Sequence, residues 1–83
     1  MKIRLRYFAS LREALGSGEE LELPGPLTVA ALRDHLVARG GVHAERLGGN
    51  RLVRCAVNQA LADEGARIDD GAEVAFFPPV TGG

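Results

Sequence analysis

The chain has 83 residues, of which 46% are hydrophobic and 25% are charged. This length supports one domain, near the lower size limit for a core without disulfides or metal, and the composition is that of a folded domain. The net charge of -1 gives no field that attracts nucleic acid or a membrane surface, so neither partner is expected. The single cysteine, Cys55, excludes an internal disulfide. Because the first residues lack a long apolar run, we expect a cytoplasmic protein.

The first part of the chain predicts a strand, a short helix and a second strand. Residues 2–8 alternate between apolar and polar side chains, which is typical of a half-buried strand. Ser10 and Glu13 have the spacing of a capping box, which predicts a short helix ending at Gly16. Residues 19–23 alternate again and predict the second strand.

The main helix is predicted directly after Thr28, which is a suitable N-cap residue. Its apolar stripe is formed by Val29, Leu32, Leu36 and Val37. The helix is expected to end at residues 40–41, which are both glycine. Residues 43–50 are polar and contain glycine, so they predict an irregular segment.

The last part of the chain predicts two more strands with turns between them. Residues 52–57 alternate, with Val53, Cys55 and Val57 on one side. The pair Asn58-Gln59 marks a tight turn that returns the chain through Leu61. Residues 69–71 mark another turn, and residues 73–77 form the last predicted strand.

This order of elements favours an α+β fold of the β-grasp type, in which one main helix covers one face of a mixed sheet. The first and last strands are expected to lie side by side and parallel in the middle of the sheet. Residues 1–77 are assigned to the β-grasp domain and residues 78–83 to an extended C-terminal tail. The side chains predicted to face the helix are Ile3, Leu5, Tyr7, Val74 and Phe76.

Two aromatic residues fall on the opposite, uncovered face of the predicted sheet. Phe8 and Phe77 are single surface aromatics on the simplest interpretation. Leaving both rings in water, however, forgoes about 1.5–3 kcal/mol of burial for each ring. We therefore predict that Phe8, Phe77 and the nearby Leu61 form a patch that binds a protein partner.

The tail after the last strand has a composition suited to insertion into another protein. Glycine-rich ends are usually frayed and without function, but Pro78 and Pro79 favour an extended conformation that projects the chain outward. Thr81, Gly82 and Gly83 follow. At about 3.3 Å per residue the tail reaches on the order of 20 Å, and the two glycines are slim enough for a narrow channel.

The carboxylate of Gly83 is the group on which chemistry is expected. A free carboxylate is a poor electrophile, so an external enzyme has to activate it, commonly as an acyl adenylate formed from ATP. A sulfur nucleophile then displaces AMP and yields a thiocarboxylate, which can deliver sulfur to an acceptor. We expect the chain to carry this group and to have no active site of its own.

Other candidate sites are weaker. Cys55 alternates with two valines, which indicates a buried thiol rather than a redox centre. His35 and His43 lack the spacing of metal ligands, so no metal is expected. No phosphate-binding loop of the G-x-x-x-x-G-K-[ST] type is present, so no bound cofactor is predicted, and ATP is expected to be consumed by the activating enzyme.

Four segments resemble the MoaD family, the small subunits of molybdopterin synthase. They are residues 7–13, 28–32, 56–59 and 70–83, and the last, DGAEVAFFPPVTGG, is the most specific. The resemblance implies a β-grasp fold in which Gly83 is adenylated by a MoeB-like enzyme, converted to a thiocarboxylate through a sulfur donor and inserted into a MoaE-like large subunit. There the sulfur passes to cyclic pyranopterin monophosphate. It further implies a heterotetramer, catalytic side chains on the large subunit, and Phe8, Leu61 and Phe77 as contact positions.

Two alternatives remain open on the sequence. One is a carrier or protein modifier of the same type that serves thiamine synthesis, tRNA thiolation or conjugation to lysine. The other is a ubiquitin-like binding module whose tail carries no group.

Overall fold

The structure is a computed structural model that describes residues 1–48 and 53–78. Within these residues it contains seven strands and three helices. The strands are β1 (Lys2–Tyr7), β2 (Gly18–Glu22), β3 (Leu27–Thr28), β4 (Arg54–Val57), β5 (Ala60–Ala62), β6 (Arg67–Ile68) and β7 (Glu73–Phe77). The helices are α1 (Ala9–Leu15), α2 (Val29–Val37) and α3 (Gly41–Leu47). In the part of the chain described, no helix is long and apolar enough to cross a membrane.

Five strands form one mixed sheet in the order β2-β1-β7-β4-β5. The neighbours β1 and β7 run parallel, whereas β1–β2, β7–β4 and β4–β5 are antiparallel. Parallel neighbours require a crossover connection, and the helices lie within the segment that joins these two strands. This arrangement confirms the β-grasp prediction, including the parallel first and last strands in the middle of the sheet.

One face of the sheet carries the core, beneath the helices. All five side chains predicted to face the helix expose 1% of their surface or less. They pack with the apolar stripe of α2 and with Leu47 of α3 in one hydrophobic cluster. Burial of side chains of this size contributes about 1.5–3 kcal/mol each before the entropy cost of folding. The two-residue periodicity of β1 and β7 therefore predicted correctly which face of the sheet is buried.

Two local predictions about caps and turns are also confirmed. The Thr28 hydroxyl accepts a hydrogen bond from the Ala31 amide at 3.2 Å, which caps the N-terminus of α2. Asn58 and Gln59 have φ angles of 50° and 70°, the left-handed conformation that a two-residue hairpin requires. The hairpin brings Leu61 back along β4 as predicted. The predicted third strand begins at Leu52, which lies outside the described residues, and β4 as observed begins at Arg54.

The predicted start of the first helix was wrong. The N-cap of α1 is Phe8, and no side chain caps this end, so Ser10 and Glu13 form no capping box. The extended conformation of β1 continues through Phe8, whose carbonyl accepts from the Leu11 amide at 3.1 Å. The helix consequently begins two residues earlier than the local pattern indicated, because the end of the strand determines its position.

Residues 43–50 were predicted to be irregular, and this was wrong for their first part. Helix α3 occupies Gly41–Leu47, and the side chain of Leu47 is 1% exposed in the core. The segment from Ala44 to Leu47 consists of good helix formers, and its burial against the other helices outweighs the polar composition. The pairing of β3 with β6 was not predicted either, because two-residue strands carry no periodicity.

Candidate functional site: the uncovered sheet face and the root of the tail

The candidate site lies on the uncovered face, which we define as the side of the five-stranded sheet opposite the helices. Because β1 and β7 are parallel, both strands end at the same edge of the sheet. Phe8 follows β1 there, and Pro78 follows β7. We call this edge the tail end of the face, since the predicted tail of residues 78–83 starts from it. Pro78 is half-buried, and residues 79–83 lie outside the described residues.

The two aromatic rings are brought to this edge by the strand register. Tyr7 pairs with Phe76, and the Phe8 amide donates to the Phe76 carbonyl at 3.1 Å, which extends the parallel ladder by one residue. Side chains alternate along a strand, so Phe8 and Phe77 both project from the uncovered face of neighbouring strands. Phe8 is 39% exposed and Phe77 is half-buried.

Leu61 shares the face with the two rings but lies two strands away from Phe77. It is opposite Ala56, which is itself opposite Ala75 of β7. Its side chain is 71% exposed, an unusual value for leucine in a small domain. Both alanines are partly buried and lie between Leu61 and β1 on this face. The three residues singled out from the sequence thus occupy one face, and their role as a partner interface stays a prediction.

Two arginines adjoin the aromatic pair. The Arg6 guanidinium carbon lies 5.3 Å from the centroid of the Phe8 ring, within the range of a cation–π interaction. Arg54 pairs with Phe77 across the β4–β7 ladder. Arg54 was not predicted to belong to the site, although the alternation of residues 52–57 places it on the side opposite Cys55.

The covered face holds the buried titratable groups. Burial raises the pKa of the Cys55 thiol to about 11, so it is protonated and unreactive near neutral pH. Burial, together with the nearby Glu19 carboxylate, raises the pKa of Tyr7 to about 12. No hydrogen-bond partner of the Tyr7 hydroxyl is found among the described residues. These groups belong to the core and not to a reactive site, and the predicted burial of Cys55 is confirmed.

An ion pair between Arg39 and Glu19 lies at the edge of the core near Tyr7. Both guanidinium nitrogens of Arg39 donate to the Glu19 carboxylate, at 2.7 and 2.9 Å. This bidentate hydrogen bonding lowers the pKa of Glu19 and raises that of Arg39. His43 Nε2 lies 3.5 Å from the same guanidinium. Within residues 1–48 and 53–78, no three His, Cys, Asp or Glu side chains are grouped so as to hold a metal ion.

A family model matches the part of the chain that carries this face and the tail. Residues 5–83 match the model of the ThiS family, which covers nearly the whole chain. The chain belongs to the ThiS family. The match confirms the kinship that the sequence segments indicated, and it includes β7 together with the tail that follows it.

Two relatives and one solved structure align with this ThiS chain over at least 98% of its length. It is 44% identical to the molybdopterin synthase sulfur carrier subunit of Escherichia coli, with 98% of this chain and 99% of the relative aligned. It is 37% identical to the protein of the same name from Haemophilus influenzae, over 98% of this chain and 99% of the relative. Among solved structures, SAMP1 from Haloferax volcanii superposes with a TM-score of 0.82 at 30% identity, covering 100% of both chains.

Proposed function

We propose that this chain is the sulfur-carrier subunit of molybdopterin synthase in molybdenum cofactor biosynthesis. The observation that carries the proposal is the 44% identity to the Escherichia coli carrier subunit across 98% of the chain. The apolar patch on the uncovered face supports it, because a carrier has to dock its body while its tail reaches into another protein. The site geometry alone fits any ubiquitin-like carrier, and the relatives favour this one.

The chemistry takes place at the carboxylate of Gly83. In a MoeB-like enzyme this carboxylate attacks the α-phosphate of ATP, and an acyl adenylate and pyrophosphate are formed. Hydrosulfide delivered by a donor protein then attacks the acyl carbon, AMP leaves with the oxygen that joined it to that carbon, and the thiocarboxylate remains. The thiocarboxylate sulfur attacks cyclic pyranopterin monophosphate held by the large subunit, and hydrolysis of the resulting thioester leaves the sulfur on the substrate and restores the carboxylate of Gly83. No bound cofactor takes part on this chain, because ATP is consumed by the activating enzyme.

The residues of this chain hold and present the group rather than catalyse its transfer. Phe8, Leu61 and Phe77 dock onto a MoaE-like large subunit, which supplies the catalytic side chains in a heterotetramer. Pro78 and Pro79 direct the tail away from the sheet, since proline favours the extended conformation and donates no amide to a ladder. Thr81 precedes Gly82 in the tail, and Gly82 leads to the terminal group without a side chain that a narrow channel would reject.

The proposed location is the cytoplasm, where ATP for the activation step is supplied. No disulfide is needed for stability in this chain, whose single cysteine is buried and protonated. A reducing compartment is therefore compatible with the fold.

Deletion of Gly83 tests the proposal directly. We expect the truncated chain to fold and to bind the large subunit nearly as well as the full chain, because the docking residues are untouched. It should form no thiocarboxylate and support no sulfur transfer. Intact mass after incubation with ATP, the activating enzyme and a sulfur source is the measurement, and the full chain should gain about 16 Da as sulfur replaces oxygen. Normal transfer by the truncated chain would rule out the proposal.

A second candidate function is a protein modifier of the same fold. Similarity to SAMP1 from Haloferax volcanii, with a TM-score of 0.82, favours this function. A second similar structure from the same organism is that of small archaeal modifier protein 1. In this case the acyl adenylate is attacked by a lysine amine, and an isopeptide bond forms as AMP leaves. Carriers for thiamine synthesis or tRNA thiolation belong to the same group of alternatives. Incubation with ATP and the activating enzyme in a cell extract separates the modifier from all of the carriers, because a modifier yields adducts of higher mass and a carrier does not.

A further inference from the structure

The charges on the uncovered face are segregated along the strands. At the end remote from the tail, each cation lies opposite a carboxylate. Lys2 pairs with Glu22 across the β1–β2 ladder, and Arg4 lies opposite Glu20 on one side and Glu73 on the other. Cross-strand neighbours of opposite sign attract each other at this distance. In this half of the face the cross-strand neighbours of the cations are therefore carboxylates, although Lys2 and Arg4 form no ion pair within residues 1–48 and 53–78.

At the tail end of the face, the cross-strand neighbours of the cations are uncharged. Arg6 lies opposite Gly18 and Ala75, which carry no charge. Its side chain is 52% exposed, and the nearest carboxylate, that of Glu73, is 4.0 Å away at the outer limit of an ion pair. Arg54 is exposed and opposite Phe77, and within residues 1–48 and 53–78 no carboxylate forms an ion pair with it.

The two guanidinium groups flank the aromatic pair on both sides. By register, the strand order places Arg6 and Phe8 on β1, Phe77 on the central β7 and Arg54 on β4. The contact of Arg6 with the Phe8 ring limits the positions that the guanidinium can adopt. A partner surface that covers the rings has to meet or desolvate both cations, and an uncompensated buried cation costs several kcal/mol.

We propose that the protein partner of this face has an apolar recess for Phe8 and Phe77 that is bordered by carboxylates facing Arg6 and Arg54. This inference rests on the proposed function, since the partner is the large subunit that receives the tail. The arginines select and steer that partner, whereas the rings supply most of the buried apolar area.

Two other occupants fit the same face less well. Nucleic acid is commonly bound through about 6–10 phosphate contacts, and this edge offers two guanidiniums on a chain of net charge -1. A second copy of the chain presents the same two cations beside the same rings, so a symmetric contact at this edge brings like charges together. A carboxylate-bordered protein surface avoids both difficulties.

The experiment measures association with the purified large subunit of molybdopterin synthase from the same organism. Arg6→Gln, Arg54→Gln and the double variant are compared with the wild type at low and high salt, about 50 and 300 mM. Lys2→Gln is the matched control, because it removes one positive charge from the same face at the end remote from the tail, where the cross-strand neighbour is Glu22. Circular dichroism confirms that each variant is folded.

We expect the double variant to bind about tenfold more weakly at low salt, mainly through a slower association rate, and to lose most of the salt dependence of the wild type. Lys2→Gln should stay within about twofold of the wild type. The inference is overturned if the double variant binds like the wild type, or if Lys2→Gln weakens binding as much as Arg54→Gln does.

Two further readouts separate this inference from the proposed function. Sulfur transfer by Lys2→Gln at saturating large subunit should equal that of the wild type, because Lys2 lies outside the proposed contact and the chemistry at Gly83 is unchanged. If transfer proceeds and binding ignores the arginines, only the charge inference fails. If the wild type neither binds nor transfers, both fail. Self-association, or binding to a single-stranded RNA oligonucleotide, that disappears in the double variant would assign the face to those occupants and reject the carboxylate-bordered partner.

Discussion

The two faces of the central strand differ completely although their residues alternate along one short segment. In β7, Val74 and Phe76 are at most 1% exposed beneath the helices, whereas Ala75 and Phe77 belong to the uncovered face. Phe76 stacks against Tyr7 with ring centroids 6.4 Å apart. Phe77, the next residue, has a positively charged neighbour in Arg54 on the adjacent strand. One face holds the fold together, and the other is available for a partner.

The comparison shows that the same residue type has opposite consequences on the two faces. A phenylalanine on the covered face is surrounded by other side chains, so its removal leaves a cavity. A phenylalanine on the uncovered face is covered only partly by the domain itself, so its remaining surface is available to a partner. Substitutions that destabilise the fold and substitutions that weaken docking are therefore expected at neighbouring residues of the same strand.

The largest expected effect comes from truncating these two rings in turn. Phe76→Ala should lower the free energy of unfolding by about 3–5 kcal/mol, because it empties the centre of the core. That loss is a large share of the stability of a domain of this size. Phe77→Ala should change the free energy of unfolding by no more than about 1 kcal/mol. Urea denaturation followed by circular dichroism measures both.

The second part of this prediction concerns the affinity of these variants for the large subunit. Phe77→Ala should weaken binding clearly, since aromatic anchors dominate the energetics of protein interfaces. Leu61→Ala serves as a second variant on the same face and should also fold normally. If Phe77→Ala unfolds the domain as readily as Phe76→Ala, then the ring of Phe77 is core and the distinction between the faces fails.

A second expected effect concerns the reactivity of Cys55. Its pKa of about 11, compared with an ordinary 9.0, lowers the thiolate fraction at pH 8 by about 100-fold. Limited access under the helices reduces the rate further. Alkylation by iodoacetamide should thus be at least about 100-fold slower in the native protein than in urea.

The direction of the pH dependence follows from the same shift. A raised pKa means that the folded state holds the thiol proton more tightly than the unfolded chain does. The contribution of this group to stability is therefore fully present below about pH 9 and decreases as the pH rises towards 11. Equal alkylation rates in native and unfolded protein would show that the covered face is open to solvent.

The smallest expected effect is that of Tyr7→Phe, which tests how dry the covered face is. The hydroxyl is buried without a partner among the described residues, so its removal should leave stability unchanged or raise it by up to about 1 kcal/mol. Thermal unfolding measures the difference, and Thr28→Ala provides a control that should lose about 1 kcal/mol through its missing N-cap. A loss of similar size in Tyr7→Phe would mean that the hydroxyl makes a stabilising hydrogen bond.

Much of the fold could be predicted because the relevant signals are local. Alternation in residues 2–7 and 73–77 needs only the period of a strand, and Thr28 caps a helix three residues away. The start of α1 could not be predicted in this way. Its N-cap is set by a hydrogen bond from Phe8 to a strand that lies almost seventy residues further along the chain. Local capping signals lose to such tertiary contacts when the two compete.

The candidate site, like the fold, was predictable only where its signals are local in the sequence. Phe8 and Phe77 were assigned to one face because their strands alternate, and Leu61 followed from the hairpin at Asn58. Arg54 was missed as a neighbour of Phe77, because the cross-strand pairing of β4 with β7 depends on sheet order. The charge segregation of the uncovered face is likewise a property of register, since the acidic residues of β2 are remote in sequence from the cations they face.

By itself, the sequence determined the inward and outward sides of each long strand, the start of the main helix and the hairpin at Asn58-Gln59. Each of these depends on interactions within a few residues. Only the tertiary structure decided that residues 41–47 form a helix, that Phe8 is the N-cap of α1, and that Arg6 and Arg54 lie on either side of the aromatic pair. These features need the packing of distant segments, and their energies come from burial and cross-strand contacts that no local pattern contains.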